Sequence, residues 1–183
     1  MAILKVSRLG HPVIREKTLP VRTNEIKSQG IQQLIDNMIE TMREYDGVGL
    51  AAPQVHVSKQ IAVIEVLENP RYPEAMTVPL TILINPKITS RSEQMVNDWE
   101  GCLSIPDLRG IVPRYESLVC EALDRNGNPI KVEAKSFFAR VIQHENDHLE
   151  GCVYLDRMSD LLSLTHLSEF SKFWVKQNWK GKP

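Results

Sequence analysis

The segment QHENDHL, residues 143–149, places two histidines four positions apart with a glutamate directly after the first. Residues four apart on a helix share one face, so His144 and His148 can turn their rings toward a single ion. Glu145 lies about 100° around the helix from His144, which suits a group that stands beside a metal without binding it. Two imidazoles and a proton-handling carboxylate are what metal-assisted hydrolysis requires. The segment therefore predicts a metal site on a helix.

The same segment can also be interpreted as a solvated polar turn. Two observations count against this: the chain has only five histidines, so a chance H-E-x-x-H is rare, and apolar residues crowd the motif. Ser136 is a candidate N-cap for a helix over about 137–150, and Gly151 can end that helix. We expect a largely buried helix, in which histidines and a carboxylate need partners. The apolar neighbours are Phe137, Phe138, Val141, Ile142 and Leu149.

A third metal ligand must come from outside this pair of histidines. The next histidine is His166, and Glu150 or Glu169 would suit a protease with a glutamate ligand. A sharper candidate is Cys102, in the Gly- and Pro-bounded loop EGCLSIP between two strand regions. Its thiolate favours Fe(II), Zn(II) or Co(II) over hard cations, and two His with one Cys leave a fourth tetrahedral position for water.

The rest of the chain predicts two further helices and several strands. Apolar residues follow one helical face over 24–45, with Gly47 as a stop signal, and a last amphipathic segment covers about 160–179. The stretch GVGLAAPQV between helix and strands is expected to be a loop. We expect an α+β fold with a mixed, largely antiparallel sheet packed around the central metal-binding helix. The predicted strands are 60–67, 80–88, 117–124 and 130–134, the last two joined by a turn at 125–128.

The length predicts a single domain over residues 1–183, which the metal site described above would make catalytic. The net charge is −1, and 42% of the residues are hydrophobic and 25% charged. This composition gives no reason to expect that the chain before the C-terminal tail binds DNA or a membrane. No apolar run approaches the ~20 residues of a membrane span, and the N-terminus does not read as a signal peptide. The odd number of cysteines, three, then favours the cytoplasm, with a bacterium as the expected source.

A family resemblance is carried by GVGLAAPQ (47–54), EGCLSIP (100–106) and QHENDHLEG (143–151). Together, in this order and spacing, they look like the three motifs of the peptide deformylases. The similarity extends through LGHPVIREK and VPRYESLVCEALDRNGNPI to about residue 160. The resemblance implies a peptide deformylase-like fold and a hydrolase of protein biosynthesis. Its substrate would be the N-terminal formylmethionine of newly synthesised polypeptides, from which it releases formate.

The resemblance also implies a role for each motif residue. Glu145 would be the catalytic acid/base, and Gln54 with the backbone N–H of Leu103 would hold the oxyanion. The family's ion is usually Fe2+, with Zn2+, Ni2+ or Co2+ able to substitute. This fits formamide hydrolysis, in which charge develops on the formyl oxygen and the leaving amine needs a proton. The implied metal ligands are Cys102, His144 and His148.

The substrate is expected to contact residues of the first and third motifs. Gly49 is expected to pair main chain to main chain with an extended peptide, as in strand addition. The methionine side chain needs an apolar pocket, for which Val48, Phe137 and Val141 are candidates. Such a helix stripe is equally compatible with plain core.

Two charged residues are expected to support the cysteine loop. The family pattern implies that Glu100 pairs with Arg114 and braces the loop of Cys102, whereas the alternative is a pair of solvated surface charges. Asp98 and Trp99 stand directly before EGCLSIP, and Asp98 departs from the apolar residue that similar bacterial sequences carry there. The sequence therefore does not determine the shape of the pocket rim.

The C-terminal tail, KFWVKQNWKGKP from Lys172, has four lysines, two tryptophans and no acid. Such a tail is compatible with ribosome contact. The resemblance to the peptide deformylases implies the same, because a C-terminal helix can contact the ribosome in that family. The alternative is an amphipathic helix with its tryptophans on the body and its lysines solvated. The near-neutral net charge favours the alternative.

Two other functions remain open. A zinc endopeptidase could use the same H-E-x-x-H helix, but it would need a third His or Glu ligand and would leave Cys102 unexplained. A structural-metal interaction module would need a closed site of four ligands.

Overall fold

The computed structural model describes residues 2–67 and 77–174. Two antiparallel sheets carry the fold, one of five strands in the order β1-β2-β3-β6-β7 and one of three in the order β4-β5-β8. The expected α+β class with a largely antiparallel sheet is confirmed. The strands are β1 (Gly49–Ala51), β2 (Ile61–Val66), β3 (Val78–Arg91), β4 (Met95–Cys102), β5 (Ile105–Tyr115), β6 (Ser117–Leu123), β7 (Pro129–Lys135) and β8 (Thr165–His166). The α-helices are α1 (Gln29–Glu44), α2 (Ser136–Leu149) and α3 (Leu167–Glu169), and Phe170–Trp174 continues the last as a π-helix.

Helix α1 buries its predicted apolar face against β1 and β2. The helix begins at Gln29 rather than near residue 24, because the Ser28 hydroxyl accepts the N–H of Ile31 and so caps it there. The chain leaves the helix through Asp46, whose φ is 51°. The fully covered side chains of that face include Ile35 and Met38.

Strand β1 corrects the expectation that GVGLAAPQV is a loop. Gly49–Ala51 pair with β2, and Ala52–Val55 form one turn of 3-10 helix. A strand of three residues is too short to show a period of two, and its glycine and alanines disguise it as a loop. Because β1 stands at an edge of the five-stranded sheet, its outer main chain pairs with no other strand of the described residues.

Helix α2 is the central element and contacts β1, β2, β5, β6 and β7. Ser136 was expected to cap it, which is wrong: Lys135 is the N-cap, and Ser136 is the first helical residue. The Ser136 hydroxyl donates to the carboxylate of Glu116 instead. Gly151 ends the helix as expected, with φ at 77°, and a Cβ there would lie 2.6 Å from the carbonyl oxygen of Arg15.

The β4–β5 hairpin presents Cys102 to this helix. Cys102 pairs with Ile105, so only two residues, Leu103 and Ser104, make the turn between the strands. The expected loop position of the cysteine is thus the end of a strand. A short turn between long paired strands fixes the thiol more rigidly than a loop would.

The C-terminal segment begins its helix later than predicted. Helical residues start at Leu167 rather than near 160, because Thr165–His166 form β8 against β5. Residues 175–183, which hold the rest of the predicted helix and most of the basic tail, lie outside the described residues. Within 2–67 and 77–174, none of the helices combines the length and apolar character that crossing a bilayer requires.

Candidate metal centre and active site

Three donor side chains converge where the β4–β5 hairpin meets α2. The ligand atoms of Cys102, His144 and His148 all lie within 4.8 Å of one another. The sulfur of Cys102 is 3.2 Å from Nε2 of His148, and the two imidazole rings stand 5.0 Å apart at 75°. Cys102 and His148 are buried, and His144 is nearly so. One sulfur and two nitrogens at this separation suit a divalent ion of intermediate softness.

The ionisation state of Cys102 also favours cation binding. Burial opposes ionisation of Cys102, but the charges and hydrogen bonds of His148 and His144 outweigh it and hold the pKa of the thiol well below its ordinary value. Burial lowers the pKa of His144, but Cys102 and Glu100 outweigh it and raise that pKa well above its usual range, so an ion that binds this ring would have to displace a proton. The thiol is therefore disposed to be a thiolate, the form that binds metals.

Glu100 orients one of the histidines. Its Oε2 lies 2.9 Å from Nδ1 of His144, and since a carboxylate only accepts, Nδ1–H is the donor. Arg114 forms the expected pair with Glu100, through two parallel hydrogen bonds of 2.8 and 3.0 Å. Burial raises the pKa of Glu100, but Arg114 and His144 outweigh it and hold that pKa well below its usual value. Both charges are buried, so the alternative of two solvated charges is wrong.

Three more members of this ion network were not predicted from the sequence. Arg140 donates to Glu100 at 2.8 Å, and Asp147 accepts from Arg114 at 2.6 Å and from Arg157 at 2.7 Å. Asp147 is one of the two variable letters inside the H-E-x-x-H motif. The helical spacing of 140, 144 and 147 along one face of α2 was the available signal. Buried charges in this arrangement compensate one another.

Glu145 faces the cavity with an unsatisfied oxygen. It is buried, and its Oε2 has no hydrogen-bond partner among the described residues. Burial raises the pKa of this carboxyl to about 7, an effect that the neighbouring His144 and His148 moderate. Gly49 leaves the space that the carboxylate occupies, because a Cβ there would lie 2.3 Å from Oε1. An unpartnered buried carboxylate oxygen beside three metal donors fits a site built for an ion and its water.

Gln54 lies on the other side of the cysteine. Its Oε1 accepts the N–H of Ala51 at 2.8 Å, which fixes the amide so that Nε2 faces the site. Nε2 stands 3.5 Å from the sulfur of Cys102 and 3.3 Å from the hydroxyl of Ser104. Leu103 follows the cysteine in the turn, where its carbonyl accepts from Arg8 at 2.8 Å. Gln54 is buried, as a side chain that lines an internal site would be.

A cavity of about 40 Å³ opens directly onto these groups. All four expected substrate-binding residues lie along it, although Val48 and Val141 also belong to the core packed against α2. Arg140 and Trp99 line it as well, and neither was expected to do so. The expected members are Val48, Gly49, Phe137 and Val141.

The other candidate ligands are engaged elsewhere. Glu150 pairs with Lys17 at 2.6 Å, and Glu169 pairs with Lys172 at 2.9 Å. In the part of the chain that the structure describes, no fourth His, Cys, Asp or Glu joins the three donors. The ligand set of an H-E-x-x-H endopeptidase and the closed site of a structural metal module both lack support here.

The comparisons with known proteins agree with one another. Residues 3–163 match the family model described as polypeptide deformylase. Peptide deformylase 2 of Nostoc sp. is 41% identical over 95% of this chain and 96% of its own length. Peptide deformylase 1 of Bordetella pertussis is 46% identical over 87% of this chain and 88% of its own length.

A solved structure gives the same result at the level of the fold. The crystal structure of a class I type b peptide deformylase from Acinetobacter baumannii, bound to Met-Ala-Ser, matches with a TM-score of 0.84 and 39% identity. The match covers 86% of this chain and 99% of the other. None of these relatives is an endopeptidase by name. This chain belongs to the polypeptide deformylase family, metal-dependent hydrolases that act on formylated nascent peptides.

Proposed function

We propose that Cys102, His144 and His148 hold a divalent ion and that Glu145 moves the protons of deformylation at this site. The substrate is the formylmethionine end of a new polypeptide, and the products are formate and a free amino terminus. The observation that carries the proposal is the unpartnered Oε2 of Glu145 beside three convergent metal donors. We further propose that residues 1–183 work as one catalytic domain.

The donor set supports Fe2+ as the resident ion, with Zn2+, Ni2+ or Co2+ as substitutes. A thiolate and two imidazoles exclude hard cations such as Mg2+ and Ca2+ on grounds of ligand softness. When bound, such an ion supplies the Lewis acidity that polarises a carbonyl and makes water a usable nucleophile near neutral pH. The hydrogen bond from Nδ1 of His144 to Glu100 leaves Nε2 as the ring nitrogen that would bind the ion.

Glu145 is suited to take a proton from water and to return it to the leaving amine. A carboxyl whose pKa is raised to about 7 is both a usable base and a usable acid at neutral pH. Because Glu145 is buried, its carboxyl is shielded from exchange with bulk solvent. Because Gly49 has no side chain, the carboxylate of Glu145 has room to lie at the cavity.

Two N–H groups are suited to hold the developing oxyanion. Nε2 of Gln54 faces the cysteine sulfur, and its orientation is fixed by the hydrogen bond from Ala51. The backbone N–H of Leu103 is the second proposed donor, in the tight turn after Cys102. Donors that are fixed before the reaction stabilise the transition state without reorganisation.

The edge of β1 is suited to hold the peptide. Its outer main chain is available for strand addition, and an extended peptide there would point its first side chain toward the cavity. Val48, Phe137 and Val141 then contact the methionine. This arrangement would align the formyl group with Glu145, since Gly49 on β1 touches that carboxylate.

The test is formate release from formyl-Met-Ala-Ser, run anaerobically with the protein loaded with Fe(II) or Ni(II). We expect turnover by the wild type, none above background by Glu145→Gln, and loss of bound metal in Cys102→Ala. The surface variant Glu150→Gln serves as the matched control and should behave as wild type. Turnover by Glu145→Gln at the wild-type rate would falsify the assignment of the acid/base.

We also propose that the reaction takes place in a bacterial cytoplasm. The relatives come from bacteria, which supports a bacterial cytoplasm, where formylated chains are made. Ribosome contact through the lysines from Lys172 onward would be seen as salt-dependent co-sedimentation. Failure to bind ribosomes at any salt concentration would contradict it.

A further inference from the structure

Trp99 joins the wall of the site cavity to the C-terminal segment. It directly precedes Glu100 on β4 and lines the cavity, and its side chain is half-buried. The centroid of its ring lies 4.9 Å from that of Phe170 and 5.4 Å from that of Trp174, at interplanar angles of 67° and 57°. Tilted and edge-on contacts at these distances are the favourable arrangements for aromatic pairs.

The C-terminal segment is anchored to the hairpin that carries Trp99. The hydroxyl of Ser163 accepts the N–H of Ile111 at 3.0 Å, and Ile111 is the residue that pairs with Trp99 across β4 and β5. Thr165 and His166 of β8 then pair with β5. The segment is therefore held at two points before it reaches the indole, so its aromatic residues arrive with a defined geometry.

Phe170 is fixed between two partners. The guanidinium carbon of Arg109 stands 5.0 Å from the centroid of its ring, and Arg109 itself is buried. The other contact of the ring is Trp99. The family match ends at residue 163, whereas these contacts to Trp99 come from residues 170 and 174. The aromatic residues that pack against Trp99 therefore lie outside the region that the family model matches.

We propose that Trp99 selects the side chain that follows the formylmethionine, and that Phe170 and Trp174 are positioning residues that hold its indole at the cavity. The proposal rests on the proposed function, because it requires the formyl peptide to lie in this cavity. The cavity is lined by Gly49 of β1 as well as by Trp99. The proposal assigns the methionine to Val48, Phe137 and Val141, and it places the following side chain of a peptide extended along β1 against the indole of Trp99. An apolar side chain at that position would bind more tightly because it buries apolar surface against the indole ring, whereas glycine has no side chain to bury.

The test compares formyl-Met-Leu-Ser with formyl-Met-Gly-Ser as substrates. The wild type should prefer the leucine peptide, and Trp99→Ala should lose that preference. Phe170→Ala should reduce the ratio of the two kcat/KM values by about two- to tenfold, mainly through KM, as expected for one lost aromatic contact. Phe170→Tyr should restore it. The matched control is Phe173→Ala, a neighbouring ring that is 56% exposed, which should keep the wild-type ratio.

Loss of folding is separated from loss of selection by thermal unfolding and metal content of each variant. A ratio that is unchanged in both Trp99→Ala and Phe170→Ala overturns the proposal, and so does an equal loss in Phe173→Ala. If the wild type releases no formate, the proposed function fails by itself. Calorimetric affinities for Met-Leu-Ser and Met-Gly-Ser then test the selection by Trp99 without turnover. Equal affinities in the wild type would overturn it.

Discussion

Nδ1 of His144 lies 2.9 Å from Oε2 of Glu100, at the centre of a buried chain of alternating charges. Glu100 is held in turn by Arg114 and Arg140, and Arg114 reaches on to Asp147. A metal-binding histidine that donates its second nitrogen to a fixed carboxylate has one tautomer and one ring orientation. The geometry of the proposed metal centre therefore depends on charged residues other than its three proposed ligands.

Glu100→Gln should weaken metal binding. An amide in place of the carboxylate no longer accepts from both His144 and Arg114 with full charge, so we expect about 10- to 100-fold lower metal affinity, the usual cost of losing such a partner. Competition with a chelator of known affinity measures it. Glu116→Gln, which removes a carboxylate that binds Ser136, is the control and should leave metal affinity unchanged. Equal affinities for the wild type and Glu100→Gln would contradict the orienting role.

Asp147→Asn should destabilise the fold. The side chain is only 8% exposed and neutralises Arg114, so its loss leaves a buried guanidinium short of one counter-charge. We expect a loss of up to about 3–5 kcal/mol in the free energy of unfolding, measured by denaturant titration. Glu150→Gln, which breaks an exposed pair with Lys17, should cost less than about 1 kcal/mol. Similar values for the two variants would show that the buried network is not structural.

The two candidate histidine ligands could be predicted from the sequence, because both lie on one helix and local spacing sets their geometry. Cys102 was predicted as the third ligand by motif chemistry and family resemblance, and the structure brings it next to both histidines. The ion network was not readable, since Arg114 and Arg140 meet Glu100 only through the packing of α2 against the β4–β5 hairpin. Sequence separation hides such pairs until the fold is known.

The fold shows the same division between local and long-range information. Strands β2, β3, β6 and β7 were predicted from their β-branched residues and from the turn at 125–128. Strands β1, β4, β5 and β8 were not. Strands β1 and β8 have only three and two residues, β4 interrupts its apolar residues with Asn97, Asp98 and Glu100, and β5 contains two prolines and a glycine. The prediction that Ser136 caps α2 was wrong because its hydroxyl donates to Glu116, which is distant in the sequence. A residue type that favours local capping here makes a tertiary hydrogen bond instead.

Gly49→Ala should lower kcat while the protein stays folded. A Cβ at this position would lie 2.3 Å from Oε1 and 3.0 Å from Cγ of Glu145, so the carboxylate must move away from the cavity. We expect a decrease of about 10²-fold or more in kcat, within the range that a positioned proton-transfer group contributes. Gly30→Ala is the control, because its Cβ would meet nothing within 4 Å in α1. That variant should retain wild-type kcat, and a wild-type kcat in Gly49→Ala would contradict the contact.

Gln54→Ala should slow turnover without removing the metal. If Nε2 of Gln54 donates to the oxyanion, its loss should reduce kcat by about 10²–10³-fold. Metal content should stay at the wild-type level, because the amide is not a ligand. Steady-state kinetics and metal analysis of the same preparation separate the two effects. A variant that loses metal and activity together would assign Gln54 to support of Cys102, which its 3.5 Å contact with the sulfur would then explain.

The activity should fall on the acid side of neutrality because Glu145 must be ionised to accept a proton from water. Burial raises the pKa of this carboxyl to about 7, so the ionised fraction decreases as pH falls through 7, and below it kcat/KM should drop about tenfold per pH unit. An ordinary carboxyl, with a pKa of about 4.3, would keep the rate level down to about pH 5. Protonation of metal ligands also releases a bound metal at low pH, so the metal content must be measured at each point. A level profile from pH 5 to 7 at constant metal content would show that the proton acceptor is not this buried carboxylate.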